Sequence, residues 1–246
     1  MPAAPRPARL LTPSLAPPFT AKMPKTQAIR GVSDDTPSVT PLFPLILLET
    51  LRDMDRPEEL LEGEDLTASM PRRLGLSDVV YLQIHRFREE VKRKRLQTPA
   101  VVEDLLRLVI RRHDADEIFL EAGRRLANRL WEERSATARR AVRLLPPALR
   151  ARSAARAARR LLRQLQGTAW LETGGKPFAV RMVSSMTYRA DPGGAACAFY
   201  AGALAELLRE YTGKDHTVAH PRCQATGAEA CEWTVVEHAD RAAEAA

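Results

Sequence analysis

The chain has 246 residues, of which 45% are hydrophobic, 28% charged and only 5% aromatic, a profile that suits one large globular domain or two small ones with a sizeable core. Twelve glycines and three cysteines exclude collagen and a disulfide scaffold, and no apolar run approaches the ~18 residues of a membrane-spanning helix. The formal net charge of +7 is local, because Arg134 to Arg163 holds ten arginines and no acid, leaving the rest of the chain at −3.

Residues 1–40 carry eight of the eighteen prolines and no periodic apolar pattern, which predicts a disordered segment. Arg6, Arg9, Leu10 and Leu11 begin like a signal peptide, but Pro13, Pro17 and Pro18 break the apolar stretch, so a cytoplasmic location is expected. Met23 is an alternative start to Met1. From Pro41 the pattern is helical: Leu42–Met54 opens a first helix with Pro41 and Pro44 near its first turn. Ser77-Asp78 caps a second helix through Val80, Ile84, Phe87 and Val91, and Lys92–Arg95 suit its C-terminal end. Thr98-Pro99 starts a third through Val109, and Asp114 a fourth through Ile118, Phe119, Gly123, Leu126 and Leu130 to about Arg134. Pro146-Pro147 divides the basic stretch into two further helices.

After Gly167 the pattern changes. Thr168–Glu172 and Phe178–Ser184 read as strands joined by a turn at Gly174-Gly175. Ala195–Tyr211 is a nearly all-apolar helix, hence buried on most sides, with Gly213 as its C-terminal cap. Thr217–Ala219 and Glu232–Glu237 form a last strand pair around a loop. This order predicts an α+β fold, an antiparallel sheet with helices packed on one face, preceded by an all-helical N-terminal region.

All three cysteines lie in the last fifty residues. Cys223 and Cys231 sit with His220 in the loop between the last two strands, and Cys197 opens the buried helix. Zinc takes four nitrogen or sulfur ligands in a tetrahedron, and the N-terminus of a helix favours a thiolate. Neutral His220 supplies a fourth donor. No Cys-x-x-Cys pair is present, so spacing alone leaves metal ligation and simple burial of three small hydrophobes both open.

The stretch from Met182 to Val235 resembles the 4-vinyl-reductase domain, a small-molecule-binding family. The motif comprises Cys197, Gly202-Ala203-Leu204, Tyr211-Thr212-Gly213, Thr217–Ala219, Cys223, Gly227, Cys231, Trp233 and Val235, with a weaker upstream match at Glu121–Arg125. One departure is His220, where members with a metal site often carry an acid. The resemblance implies a compact α+β domain that forms homodimers and holds a hydrophobic ligand between helices and sheet. It also implies a structural zinc on Cys197, His220, Cys223 and Cys231, since four protein ligands leave no open position. The chain then divides into a disordered segment (1–40), a helical region (41–112), the ligand-binding domain (113–238) and a tail (239–246).

Family members include accessory proteins of bacteriochlorophyll synthesis and sensor domains of hydrocarbon-responsive regulators. The expected function is therefore binding and delivery of a hydrophobic small molecule or tetrapyrrole, a (bacterio)chlorophyll precursor. The alternative is a ligand-sensing regulator of an aromatic or other hydrocarbon, whose N-terminal helices contact DNA or a partner protein. No nucleotide- or hydrolase-type motif is present, so a carrier is favoured over a divinyl tetrapyrrole reductase, and no catalytic residue is assigned. Trp170, Phe178, Met182 and Phe199 are the expected ligand-lining residues, with core packing as the competing role. Gly202 allows a close approach, for which helix–sheet packing is the simplest account. The Arg134–Arg163 run suits phosphates, an anionic surface or tetrapyrrole carboxylates. Leu74–Ser77 and the Lys92–Arg95 helix end faintly resemble half of a helix-turn-helix, but residues that read bases are few, so nucleic acid is the disfavoured partner.

Overall fold

In a computed structural model the described residues are 39–55, 78–166, 170–174 and 178–236, without the side chains of 78, 79, 166 and 170–174. The expectations for residues 1–38, the Leu74–Ser77 segment, the turn beyond Gly174 and the 239–246 tail lie outside them.

Helix α1 (Leu42–Met54) is apolar around its first two turns, and every residue from Leu42 to Leu48 is buried. A helix with that pattern must be covered on more than one side. It packs against both α2 (Asp78–Lys92) and α4 (Ala115–Glu132). Just before α1, Val39 is buried and exchanges two backbone hydrogen bonds of 2.8 Å with Gln97. That bridge ties the start of α1 to the turn before α3 (Pro99–Val109). At the other end of α1, Arg112 reaches Asp55 at 2.7 Å and Asp114 at 2.8 Å, joining its C-cap to the residue that opens α4.

The basic stretch forms α5 (Ala136–Leu144) and α6 (Pro147–Gln166), divided at Pro146-Pro147 as the sequence requires. Strands β1 (Trp170–Gly174) and β2 (Ala179–Val183) follow. A short helix, α7 (Met186–Ala190), comes next, with Ser185 accepting from the Tyr188 amide at 3.2 Å. A 3-10 turn (Ala195–Cys197) leads directly into α8 (Ala198–Thr212), which ends at Gly213 with φ 73°. β3 (Thr217–Arg222) and β4 (Cys231–Val236) complete the sheet around a second 3-10 turn.

The four strands are antiparallel in the order β1-β2-β4-β3. Val180 stands opposite Trp233 and Met182 opposite Cys231. All four are buried, so the period-two alternation gives the sheet one covered face. Helix α8 packs on β3 and β4, and α6 on β1. The expected α+β class is the observed one.

The core is organised by α4 against α8. Ile118, Phe119, Ala122, Leu126 and Ala127 form the buried stripe of α4. At the crossing, a Cβ on Gly202 would collide with the Leu120 carbonyl, 2.9 Å from its carbon, and a Cβ on Gly123 would stand 2.8 Å from the Ala203 nitrogen. The two glycines therefore let two backbones touch. Close approach at Gly202 was expected, but its partner is another helix rather than the sheet, because the α4–α8 seam excludes even a methyl group. The ring of Phe43 on α1 meets Phe199 on α8 edge-on, with centroids 4.3 Å apart, so the N-terminal helix shares this core.

Candidate metal centre

Four elements converge at the N-terminal end of α8. Cys197 is the N-cap residue of that helix and is fully buried. Cys223 caps the second 3-10 turn in an extended conformation, φ −132° and ψ 138°. Cys231 is the first residue of β4. His220 lies in β3, where Ala219 pairs with Thr234 but Arg222 pairs with Glu232. Three steps along β3 thus face two along β4. This bulge at His220-Pro221 falls where proline has no amide to give the ladder.

One donor atom from each of these residues lies within 4.8 Å of all the others. The Cys223 and Cys231 sulfurs are 3.9 Å apart. A tetrahedral zinc site with bonds of 2.0–2.3 Å places its donors about 3.3–3.8 Å apart, so contraction by about 1 Å or less would close the shell. The donor set itself, three sulfurs and an imidazole, is a zinc-type set. His220 Nε2 is buried and makes no hydrogen bond, a costly state for a polar atom unless a ligand occupies it. The residues therefore fit a metal ion.

The surroundings fix these donors in place. The imidazole of His220 stacks on the Trp233 indole, with centroids 4.6 Å apart and planes 7° from parallel. Trp233 in turn donates from Nε1 to the Cys197 carbonyl at 3.2 Å, so one indole orients two of the four residues. The Gln224 amide points at the Cys231 sulfur at 3.4 Å. Thr187, on α7, lies 3.5 Å from the Cys197 sulfur. Asp191 is buried and accepts from the amides of Gly193 (2.9 Å) and Ala196 (2.8 Å), shaping the loop that delivers Cys197. Gly194, at φ 91°, has no room for a side chain, since a Cβ there would meet the Cys223 sulfur at 3.3 Å.

The thiols do not share one acidity. Its hydrogen bond to Cys231, followed by burial, pushes Cys197 up, and burial first raises Cys223. The thiol of Cys197 holds Cys231 down to about 4 against the effect of burial, helped by the nearby His220 ring and the Gln224 amide. Without metal the cluster thus concentrates its negative charge on Cys231. Filling it with a cation would displace the protons of the other two.

The structure brings Cys197, His220, Cys223 and Cys231 together. The sequence reading missed the supports Thr187, Asp191, Gly194 and Gln224. The Asp191-Pro192-Gly193-Gly194 run was the available sign, a turn sequence directly before a cysteine. Of the expected ligand-lining residues, Met182 and Phe199 are fully buried in the core, and Phe178 is half-buried at the start of β2. The Trp170 side chain lies outside the described residues. His85 and His113 are exposed, and His216 bonds Thr212 through Nε2 at 2.8 Å.

Residues 178–237 match the family model of the 4-vinyl-reductase domain. This segment, which holds all four candidate ligands, is a domain of the 4-vinyl-reductase type, and the match supports small-molecule binding or sensing as its general role. No curated protein and no solved structure matches the chain.

Proposed function

We propose, from the 4-vinyl-reductase-type domain at residues 178–237, that this protein binds a hydrophobic small molecule and that zinc is its resident metal. Cys197, His220, Cys223 and Cys231 would hold the ion, and the observation that carries the reading is their convergence within 4.8 Å inside the matched segment. When bound, zinc supplies a structural cross-link: four protein ligands leave no position for water or substrate. The link ties β3, the loop after it and β4 to the first turn of α8, so the sheet cannot separate from the helix it covers.

The finer reading is an accessory protein that sequesters and delivers a (bacterio)chlorophyll precursor as a cytoplasmic homodimer. Phe178, Met182, Phe199 and Trp170 would contribute the apolar wall, and burial of an apolar ring would supply the affinity. No helix among the described residues is long and apolar enough to cross a membrane. The second reading, a sensor working through its N-terminal helices, is favoured by Tyr81 and Leu82, which stand exposed side by side on α2. They suit a protein partner better than DNA, because Glu89 and Glu90 pair with Lys92, Arg93 and Arg86 on the same helix.

The test is zinc content per chain together with an absorbance spectrum from about 350 to 800 nm, the range of tetrapyrrole pigments. About one zinc per chain with pigment bands supports the precursor reading. Zinc without pigment shifts the assignment to a colourless hydrocarbon and the sensor. A folded protein with neither refutes the proposal.

A further inference from the structure

The metal cluster occupies one end of α8; the opposite end borders a cavity of about 400 Å³ enclosed by α4, α5, α6 and α8. With 14 residues of helix between Cys197 and Tyr211, the two places are about 20 Å apart. The cavity lies mostly on residues before the matched segment, and its volume falls within the range of small-molecule sites, about 300–1,000 Å³. Its wall is apolar and aromatic: Leu130, Trp131, Val142, Leu161, Leu207 and Tyr211.

Its charge is of one kind. Arg134, Arg156 and Arg160 line it, and among the described residues none of the three forms an ion pair. The single acid in the lining, Glu210, is paired with Arg209 at 3.0 Å. Arg156 and Arg160 are exposed and one helical turn apart on α6, so they project from one face. Arg134 lies deeper. It donates to the Tyr211 hydroxyl at 2.9 Å and stands over the rings of Trp131 and Tyr211, 5.8 and 5.6 Å from their centres. Its Nε is buried with no hydrogen-bond partner. A buried guanidinium with an unmet donor, beside two unpaired cations at the mouth of an apolar cavity, lacks an anion. A solvated arginine face accounts for Arg156 and Arg160 but not for the Arg134 Nε.

We infer that this cavity binds an amphipathic monocarboxylate, an apolar chain or ring body ending in one acid group. The body lies against Trp131, Leu161 and Leu207, and the arginines take the carboxylate, whose planar oxygens match a guanidinium fork. This rests on the small-molecule reading above and deepens it, naming a site and a ligand class; it does not depend on zinc or on a tetrapyrrole.

Titration calorimetry of the full chain with laurate and with dodecanol, its neutral counterpart, tests it. Laurate should bind about 10–100-fold more tightly than dodecanol, the worth of one charge-assisted hydrogen bond. The double variant R156Q/R160Q should lose most of that difference while still binding dodecanol. A157F, which places a ring in the cavity, should lose both ligands with its melting temperature retained. Equal affinity for laurate and dodecanol would overturn the anion assignment. Laurate binding untouched by A157F and by R156Q/R160Q would overturn the site while leaving a hydrophobic ligand elsewhere in the protein. Failure of folded wild type to bind either probe would overturn the site, and the pigment spectrum would then decide the broader reading on its own.

Discussion

Replacing Gly202 by alanine pits two effects of opposite sign against each other. Inside a helix, Gly→Ala alone stabilises by about 1 kcal/mol. In this structure the new methyl would overlap the Leu120 carbonyl, 2.9 Å from its carbon and 3.2 Å from Leu120 Cα, where carbon contacts need about 3.5–4.0 Å. Relief requires α4 and α8 to part by about 1 Å, a gap that forfeits a quarter to a half of each contact along the seam. Overpacking costs about 1–3 kcal/mol when side chains can adjust. The obstacle here is backbone, so the upper end applies, and after the propensity gain the net loss is about 2 kcal/mol. For a domain of this size that lowers the melting temperature by about 4–8 °C. Circular dichroism during heating measures it. A melting temperature unchanged or raised in Gly202→Ala would show that the seam has slack, and would refute the argument that the two glycines set the distance between the helices.

Chelation of metal, or Cys231→Ser, should lower the melting temperature by about 5–10 °C, the effect of removing a ligand held near a hundred times its dissociation constant; identical melting with and without chelator would remove zinc from the account. His220→Ala should weaken zinc at least about tenfold in competition with a chromophoric chelator, while His220→Asp, which restores an anionic donor, should keep most of the affinity. Arg112→Ala breaks the link between Asp55 and Asp114 and should cost about 1 kcal/mol, read as a lower urea midpoint. Acid should destabilise the fold in the same region. Hydrogen bonds from Arg52 and Arg125 outweigh the opposing effect of burial and hold Asp53 below its ordinary 3.8, and Arg112 does the same for Asp114. Unfolded, both bind protons more readily, so their contribution is present above about pH 4 and is lost as pH falls through the lowered values. Arg112→Ala should flatten that fall, and equal pH slopes in wild type and variant would contradict it.

Much of the fold was legible because long helices announce themselves. The Leu42–Met54 helix, the proline break at 146–147 and the Gly213 cap stand where pattern and capping rules put them. The helix at Met186–Ala190 was not legible, since five residues cannot display a period and only the Ser185 cap marks its start. The metal-type cluster was legible in its members but not in its geometry. Nothing local says that a bulge at His220-Pro221 would turn an imidazole toward a helix that begins 23 residues earlier, or that Trp233 would stack on it. Gly202 showed the same limit: a lone helical glycine signals that something comes near, while its partner is decided by tertiary structure. Nor did the sequence show that one wall of a cavity would be built from the basic helices, because the apolar side chains opposite them come from α4 and α8.

The pairing of Phe43 with Phe199 has a consequence for how the chain is made. Translation delivers about 5–20 residues per second, so the apolar helix that carries Phe43 precedes its aromatic partner by about 8–30 s. During that interval Leu42–Leu48 offers a sticky surface to any other nascent chain. The first cover available is Ile118 and Phe119 of α4, which arrive in roughly half that time, and Cys223 and Cys231 follow later than all of them. Early assembly therefore rests on α1 finding α4, and the metal ligands can close only around a core already packed. A trigger-factor-type holdase should engage this protein first at α1, and ribosome-bound chains halted before α4 should be its best clients.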